Sequence, residues 1–166
     1  MRPLIVAGLG LVGVAGLLVG AGLYALHRMD ELDILTSSYT TYQEAEAGKL
    51  FQRGWLPAII PRSSRNIVEI HNIDTNEVCA AFEIDPSDRQ SFSSALASEG
   101  FETYRGPRVL RQNFLRGRCP FGNSDLVGAT TLLRIPASGI GKPDFFALGK
   151  DERNVYFWVL SVDPAA

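Results

Sequence analysis

The sequence predicts an α+β domain with a largely antiparallel sheet and two helices, carried behind one apolar N-terminal transmembrane helix. Three observations lead there. From Leu4 to Leu26 every residue is Leu, Ile, Val, Ala, Gly or Tyr. The remaining chain carries two helix signals and several β-branched or aromatic runs, in the order helix, hairpin, helix and then three strands. That order lacks the βαβ alternation of a doubly wound fold. With 46% apolar residues, 20% charged residues, and 16 basic against 18 acidic side chains in 166, the chain is neither disordered nor a basic partner of nucleic acid.

As a helix the leader extends about 34 Å, enough to cross a bilayer core of about 30 Å. A helix apolar all round gains nothing in water, whereas lipid lets it satisfy its backbone internally and expose only hydrocarbon. Gly13, Gly16 and Gly20 lie on one face, with Gly16 and Gly20 forming a GxxxG step that lets a second helix approach closely. Gly8, Gly10 and Gly13 also match a dinucleotide-binding fingerprint, with Asp30 and Glu31 downstream. The unbroken apolar run and the segment "LHRMDELD", where a second strand is required, argue against that reading. Arg2 precedes the span, while Asp30, Glu31 and Asp33 follow Arg28, so the charge bias favours a cytoplasmic N-terminus. The run exceeds the seven to fifteen residues of a signal-peptide core, which favours an uncleaved anchor. The division expected is an anchor over 1–27, a polar connector over 28–40 and an extracytoplasmic domain over 41–166.

Within the domain, Thr41 and Glu44 have capping-box spacing and Gly54 is a stop, predicting a helix over 41–53. Pro57 and Pro61 then stiffen an apolar loop containing Trp55, Leu56, Ile59 and Ile60. "NIVEIHNI" and "VCAAFEI" read as strands joined at a turn over 74–77, with Val78, Ala80, Phe82 and Ile84 on one face. Asp85 as N-cap, Pro86 at the first helical position, the Phe92–Leu96 pair and Gly100 define a second helix. Glycines and prolines leave 103–124 as loop. "ATTLLRI", "DFFAL" and "NVYFWVL" complete the sheet, the last two as a hairpin. Adjacent aromatics in the final strand must point to opposite faces, so one aromatic face requires cover by a loop or a partner.

The residues "YTTYQEAEAGKLFQRGWLPAIIPRSSRNIVEIHNIDTNEVCAAFEI" resemble a family of small, uncharacterised bacterial proteins, membrane-anchored or secreted. The resemblance rests on Gly54, Trp55, Leu56, Pro57 and Pro61, on the Asp74, Thr75, Asn76 turn before Phe82, and on the late strand Val155, Tyr156, Phe157, Trp158. It implies a bacterial extracytoplasmic setting with no assigned activity, which makes the membrane the inner, plasma membrane. Some members carry a lipid-attachment cysteine, and here no cysteine stands at the end of the leader to take a lipid.

Candidate chemistry is sparse. Cys79 and Cys119 are the two cysteines, and outside the cytoplasm they could be bonded or remain two separate thiols. Neither has a histidine beside it in sequence to act as base. His71 stands near Glu69, Asp74 and Glu77, a set whose spacing matches no metal motif. Arg105, Arg108, Arg111, Arg116 and Arg118 fall within fourteen residues with no acid between Glu102 and Asp125. Their guanidinium forks suit an anionic lipid headgroup, a phosphate-bearing glycan or an acidic protein. No nucleophile elbow, Ser-x-x-Lys motif or marked pair of carboxylates is present. The expectation is therefore a single-pass, non-enzymatic accessory module beside a protein partner, without cofactor, metal or nucleic acid. Anionic-ligand binding through the arginine segment is the alternative, and a hydrolase the third.

Overall fold

The structure, a computed structural model, describes residues 33–106, 114–134 and 142–159, together with Val19. The chain divides into two units, 1–34 and 35–166. The anchor expected over 1–27, with Gly13, Gly16 and Gly20, lies outside the described residues apart from Val19, as do Arg108 and Arg111. Among the described residues no helix is long and apolar enough to cross a membrane.

The body is α+β, as the order of its elements predicts. Strands β1 (Ile34–Thr41), β2 (Arg65–Asn72), β3 (Glu77–Glu83), β4 (Glu102–Thr103), β5 (Thr130–Arg134), β6 (Asp144–Leu148) and β7 (Asn154–Val159) form one sheet. Its spatial order is β1-β2-β3-β7-β6-β5-β4, and the ladders from β2 to β4 are antiparallel. The hairpins β2–β3 and β6–β7 therefore meet at the centre through β3 and β7. Helix α1 covers Tyr42–Ala47 and helix α2 covers Arg89–Ser98.

Two sequence expectations are corrected. The segment 28–40, expected as a connector, supplies strand β1 from Ile34 onward. Its β-branched and aromatic residues fit a half-buried pleated surface, although their polarity hides the alternation that marks a strand. Helix α1 does begin at the capping box, where the Thr41 hydroxyl accepts from the Glu44 N–H at 3.3 Å and the Glu44 carboxylate accepts from the Thr40 N–H at 2.7 Å. It ends at Gly48 rather than at Arg53. The Tyr39 ring crosses so close to Gly48 that a Cβ there would stand 2.7 Å from the ring, and Lys49 then takes φ 61°.

The other elements follow local chemistry. The Asn72 side chain accepts from the N–H groups of Asp74 and Thr75, both at 2.9 Å, fixing the turn between β2 and β3. The Asp85 side chain accepts from the Ser87 N–H at 2.9 Å and opens a 3-10 turn that leads into α2, which buries Phe92 and Leu96. In the β6–β7 turn, the Asp151 carboxylate accepts from the N–H groups of Arg153 and Asn154.

Both faces of the sheet are covered. The first carries Ile67, Val78, Ala80, Phe82, Phe146 and Phe157 and packs beneath α1, the proline-stiffened turn and α2. Phe146 meets Phe92 and Phe101 edge-on and Phe157 obliquely. The second face carries Cys79, Phe145, Tyr156 and Trp158, with the Phe145 and Trp158 rings stacked 5.0 Å apart. Phe121 packs on Tyr156 and Trp158 at 4.9 and 5.8 Å. The cover that the aromatic alternation requires is thus supplied by a loop of the same chain.

Candidate functional site

Alternation along β2 places Ile67, Glu69 and His71 on the first face, and a bulge between Arg65 and Val68 sets that phase. Glu69 stands opposite Ala80 and His71 opposite Val78, so the two polar side chains enter the apolar core together. Glu69 is completely buried and His71 nearly so. Glu69 Oε1 lies 2.7 Å from His71 Nδ1. The Ser37 hydroxyl on the neighbouring strand β1 faces the same carboxyl group and moderates its proton affinity. The Trp55 ring lies flat on the imidazole, with centroids 3.8 Å apart and 13° between planes.

This environment decides the protonation. Burial penalises the carboxylate and pushes Glu69 up to about 8, with the Ser37 hydrogen bond working in the opposite direction. Burial also lowers His71, and the nearby Arg53 charge lowers it further. Both shifts point to a couple that is neutral at pH 7. In a neutral couple the Glu69 O–H donates to Nδ1 and the remaining imidazole N–H is on Nε2. Such a couple can gain or lose a proton only by placing net charge in the core.

The other residues of interest lie elsewhere. Asp74 is exposed in the turn, and among the described residues no three His, Cys, Asp or Glu groups come together to hold a metal ion. Cys79 on β3 and Cys119 in the covering loop come within disulfide distance, their Cα atoms 5.8 Å apart. Arg105 and Arg118 are exposed, and neither guanidinium has an ion-pair partner among the described residues. Arg116 lies in the 3-10 turn Phe114–Gly117.

Sequence reasoning weighed His71 with Glu69 as metal ligands and overlooked Trp55 and Ser37 as their neighbours. The alternation "IVEIH" was the available signal, since it puts Glu69 and His71 on the same face as Ile67. The combination of a histidine, a carboxyl group and a raised proton affinity is one a hydrolase would use. Here it is sealed beneath an indole ring and an edge strand.

Residues 33–83 match the family model of the YbbD head domain. The match runs from the residue before β1 to the end of β3, so it contains Ser37, Arg53, Trp55, Glu69 and His71 but none of β4–β7. It covers nearly all of the quoted stretch that resembles small bacterial proteins, while the late strand Val155, Tyr156, Phe157, Trp158 lies outside it. No curated protein and no solved structure matches the chain.

Proposed function

We propose that this chain is a single-pass bacterial inner-membrane protein whose body lies outside the cytoplasm. There it serves as a non-enzymatic accessory module that engages a partner protein. The observation that carries this reading is the approach of Cys79 and Cys119, because a cysteine pair at bonding distance belongs to oxidising compartments. The uncharged run from Leu4 to Leu26 supports the anchor, and its length favours retention over cleavage. Burial of the Glu69–His71 couple supports a structural role for the most perturbed carboxyl group among the described residues.

The glycine face of the anchor is the first contact to test. Gly16→Leu combined with Gly20→Leu fills the groove through which a second helix packs. Co-extraction of a crosslinked partner from native membranes is expected to fall about tenfold, matching roughly 1.4 kcal/mol of helix packing. Unchanged co-extraction contradicts helix-mediated contact.

Capture of an anionic headgroup or glycan by the arginine segment is a second reading, favoured by the exposure of Arg105 and Arg118 without ion pairs. It predicts that the full chain in detergent binds an anionic, phosphate-bearing lipid or glycan less tightly as salt rises. Arg105→Ala, Arg108→Ala and Arg111→Ala together are expected to weaken that binding by about tenfold or more. Binding indifferent to all three substitutions contradicts it.

A further inference from the structure

The Glu69–His71 couple stands in a place that tolerates only one charge state. β3 presents the apolar Val78 and Ala80 opposite it, and β1 presents the Ser37 hydroxyl. Helix α1 turns Tyr42 and Ala45 inward while Glu44 and Glu46 are exposed. The segment after α1 contributes the Trp55 ring and the exposed Arg53, whose charge opposes protonation of His71. No carboxylate among these groups faces the imidazole apart from Glu69, and among the described residues no Lys or Arg forms an ion pair with the Glu69 carboxyl group. With one proton between Oε1 and Nδ1 the couple is neutral, with none it is an anion in the core, and with two it is a cation there. A charge in such a place draws water toward it or moves the element that shields it.

The element that covers the couple without a sheet ladder of its own is the turn that carries Trp55, which Leu56 and Ile60 anchor in the core. Strands β1 and β3 are fixed to β2 by the sheet. The Trp55 turn is bracketed by the hydrogen bonds Gly54 N–H to Phe51 O and Ser64 N–H to Pro61 O. Gly54 has φ 78°, a conformation suited to glycine, and no neighbouring atom stands where its Cβ would be. The turn therefore has a permissive residue at one end and, at its centre, an aromatic ring whose partner is the titrating couple.

We propose that the Glu69–His71 couple is a proton-operated latch on the Trp55 turn. With one shared proton, the indole is held flat on the imidazole and the turn is closed over β2. When the Glu69 O–H gives its proton to solvent, the carboxylate left behind recruits water and the turn opens. Reprotonation expels that water and closes it. All five residues concerned lie within the stretch matching the YbbD head domain, so the latch belongs to that module and is independent of the accessory role proposed above.

The test reads Trp55 directly. The full chain in detergent is titrated from about pH 6 to about pH 9 while acrylamide quenching of tryptophan fluorescence is followed. The Trp55→Phe variant isolates the contribution of Trp158. An increase of about threefold in the Trp55 quenching constant, with a midpoint near 8, is expected in the wild type. Glu69→Gln, which keeps a donor for Nδ1 but has no proton to lose, is expected to remain in the low-quenching state throughout. Quenching by the wild type that is independent of pH overturns the proposal, as does a transition that persists in Glu69→Gln or in Trp55→Phe. If Glu69→Gln fails to fold, the wild type and Trp55→Phe decide the question between them.

Discussion

Replacing Glu69 by Gln is expected to abolish a fall in stability of about 1 kcal/mol that the wild-type body shows between pH 6.5 and 8. The sign follows from proton counts. At pH 6.5 the unfolded chain has Glu69 deprotonated and His71 half deprotonated, and by pH 8 both groups have lost their protons, since their ordinary values are 4.5 and 6.5. The folded couple keeps one proton until about 8, because burial raises Glu69 that far. Folding in this window takes up a little over half a proton on average, so at about 1.4 kcal/mol per proton and pH unit the window costs about 1 kcal/mol. Below 6.5 the direction reverses for His71. Its lowered value means that the unfolded chain binds that proton first, which offsets the proton still held by the folded Glu69, so the pH dependence flattens between about 6.5 and 4.5. Urea unfolding at a series of pH values, for wild type and Glu69→Gln side by side, measures the difference. Equal slopes in the two proteins between pH 6.5 and 8 contradict the proton assignment.

Removal of the cysteine pair carries the other large effect. In the chain-entropy treatment, a bond closing the 40-residue separation between Cys79 and Cys119 stabilises by about 4 kcal/mol. Cys79→Ala with Cys119→Ala is expected to cost that much in urea unfolding without reductant. The loss has a structural readout as well. Cys79 lies opposite Trp158 on the second face, and the loop bearing Cys119 also brings Phe121 onto Trp158. Freeing the loop is therefore expected to expose Trp158 to quencher while Trp55 is unaffected. A cost below about 1 kcal/mol would show that the two sulfurs are not bonded in the native protein.

Elements carried by short-range chemistry were legible in the sequence. The Asp85–Pro86 start and the Phe92–Leu96 pair of α2, the turn after Asn72, and the β6–β7 hairpin each depend on residues within a few positions of one another. The alternating aromatics of β7 went further and required a cover for the second face, which Phe121 and its loop provide. What escaped depends on distant contacts. Strand β1 is mostly Ser, Thr and Tyr, and only its place beside β2 distinguishes it from a connector. Helix α1 stops short at Gly48, where Lys49 takes φ 61° and the Tyr39 ring lies close, an arrangement that the capping residues do not announce. The sequence left His71 as a solvated or hydrogen-bonded histidine near Glu69, because charged side chains are rarely buried, and the indole that covers them comes from a turn fourteen residues before Glu69. Hydropathy describes the average cost of burial, whereas here a shared proton removes the charge that burial would penalise.

The measurement that tests the anchored, extracytoplasmic reading most directly is the intact mass of the natural chain extracted from native membranes without reductant. The prediction is a full-length chain with its N-terminal segment retained, lighter by about 2 Da than the fully reduced sequence because Cys79 and Cys119 are joined. A chain beginning near Gly22, or one at the reduced mass with two thiols open to alkylation, contradicts it.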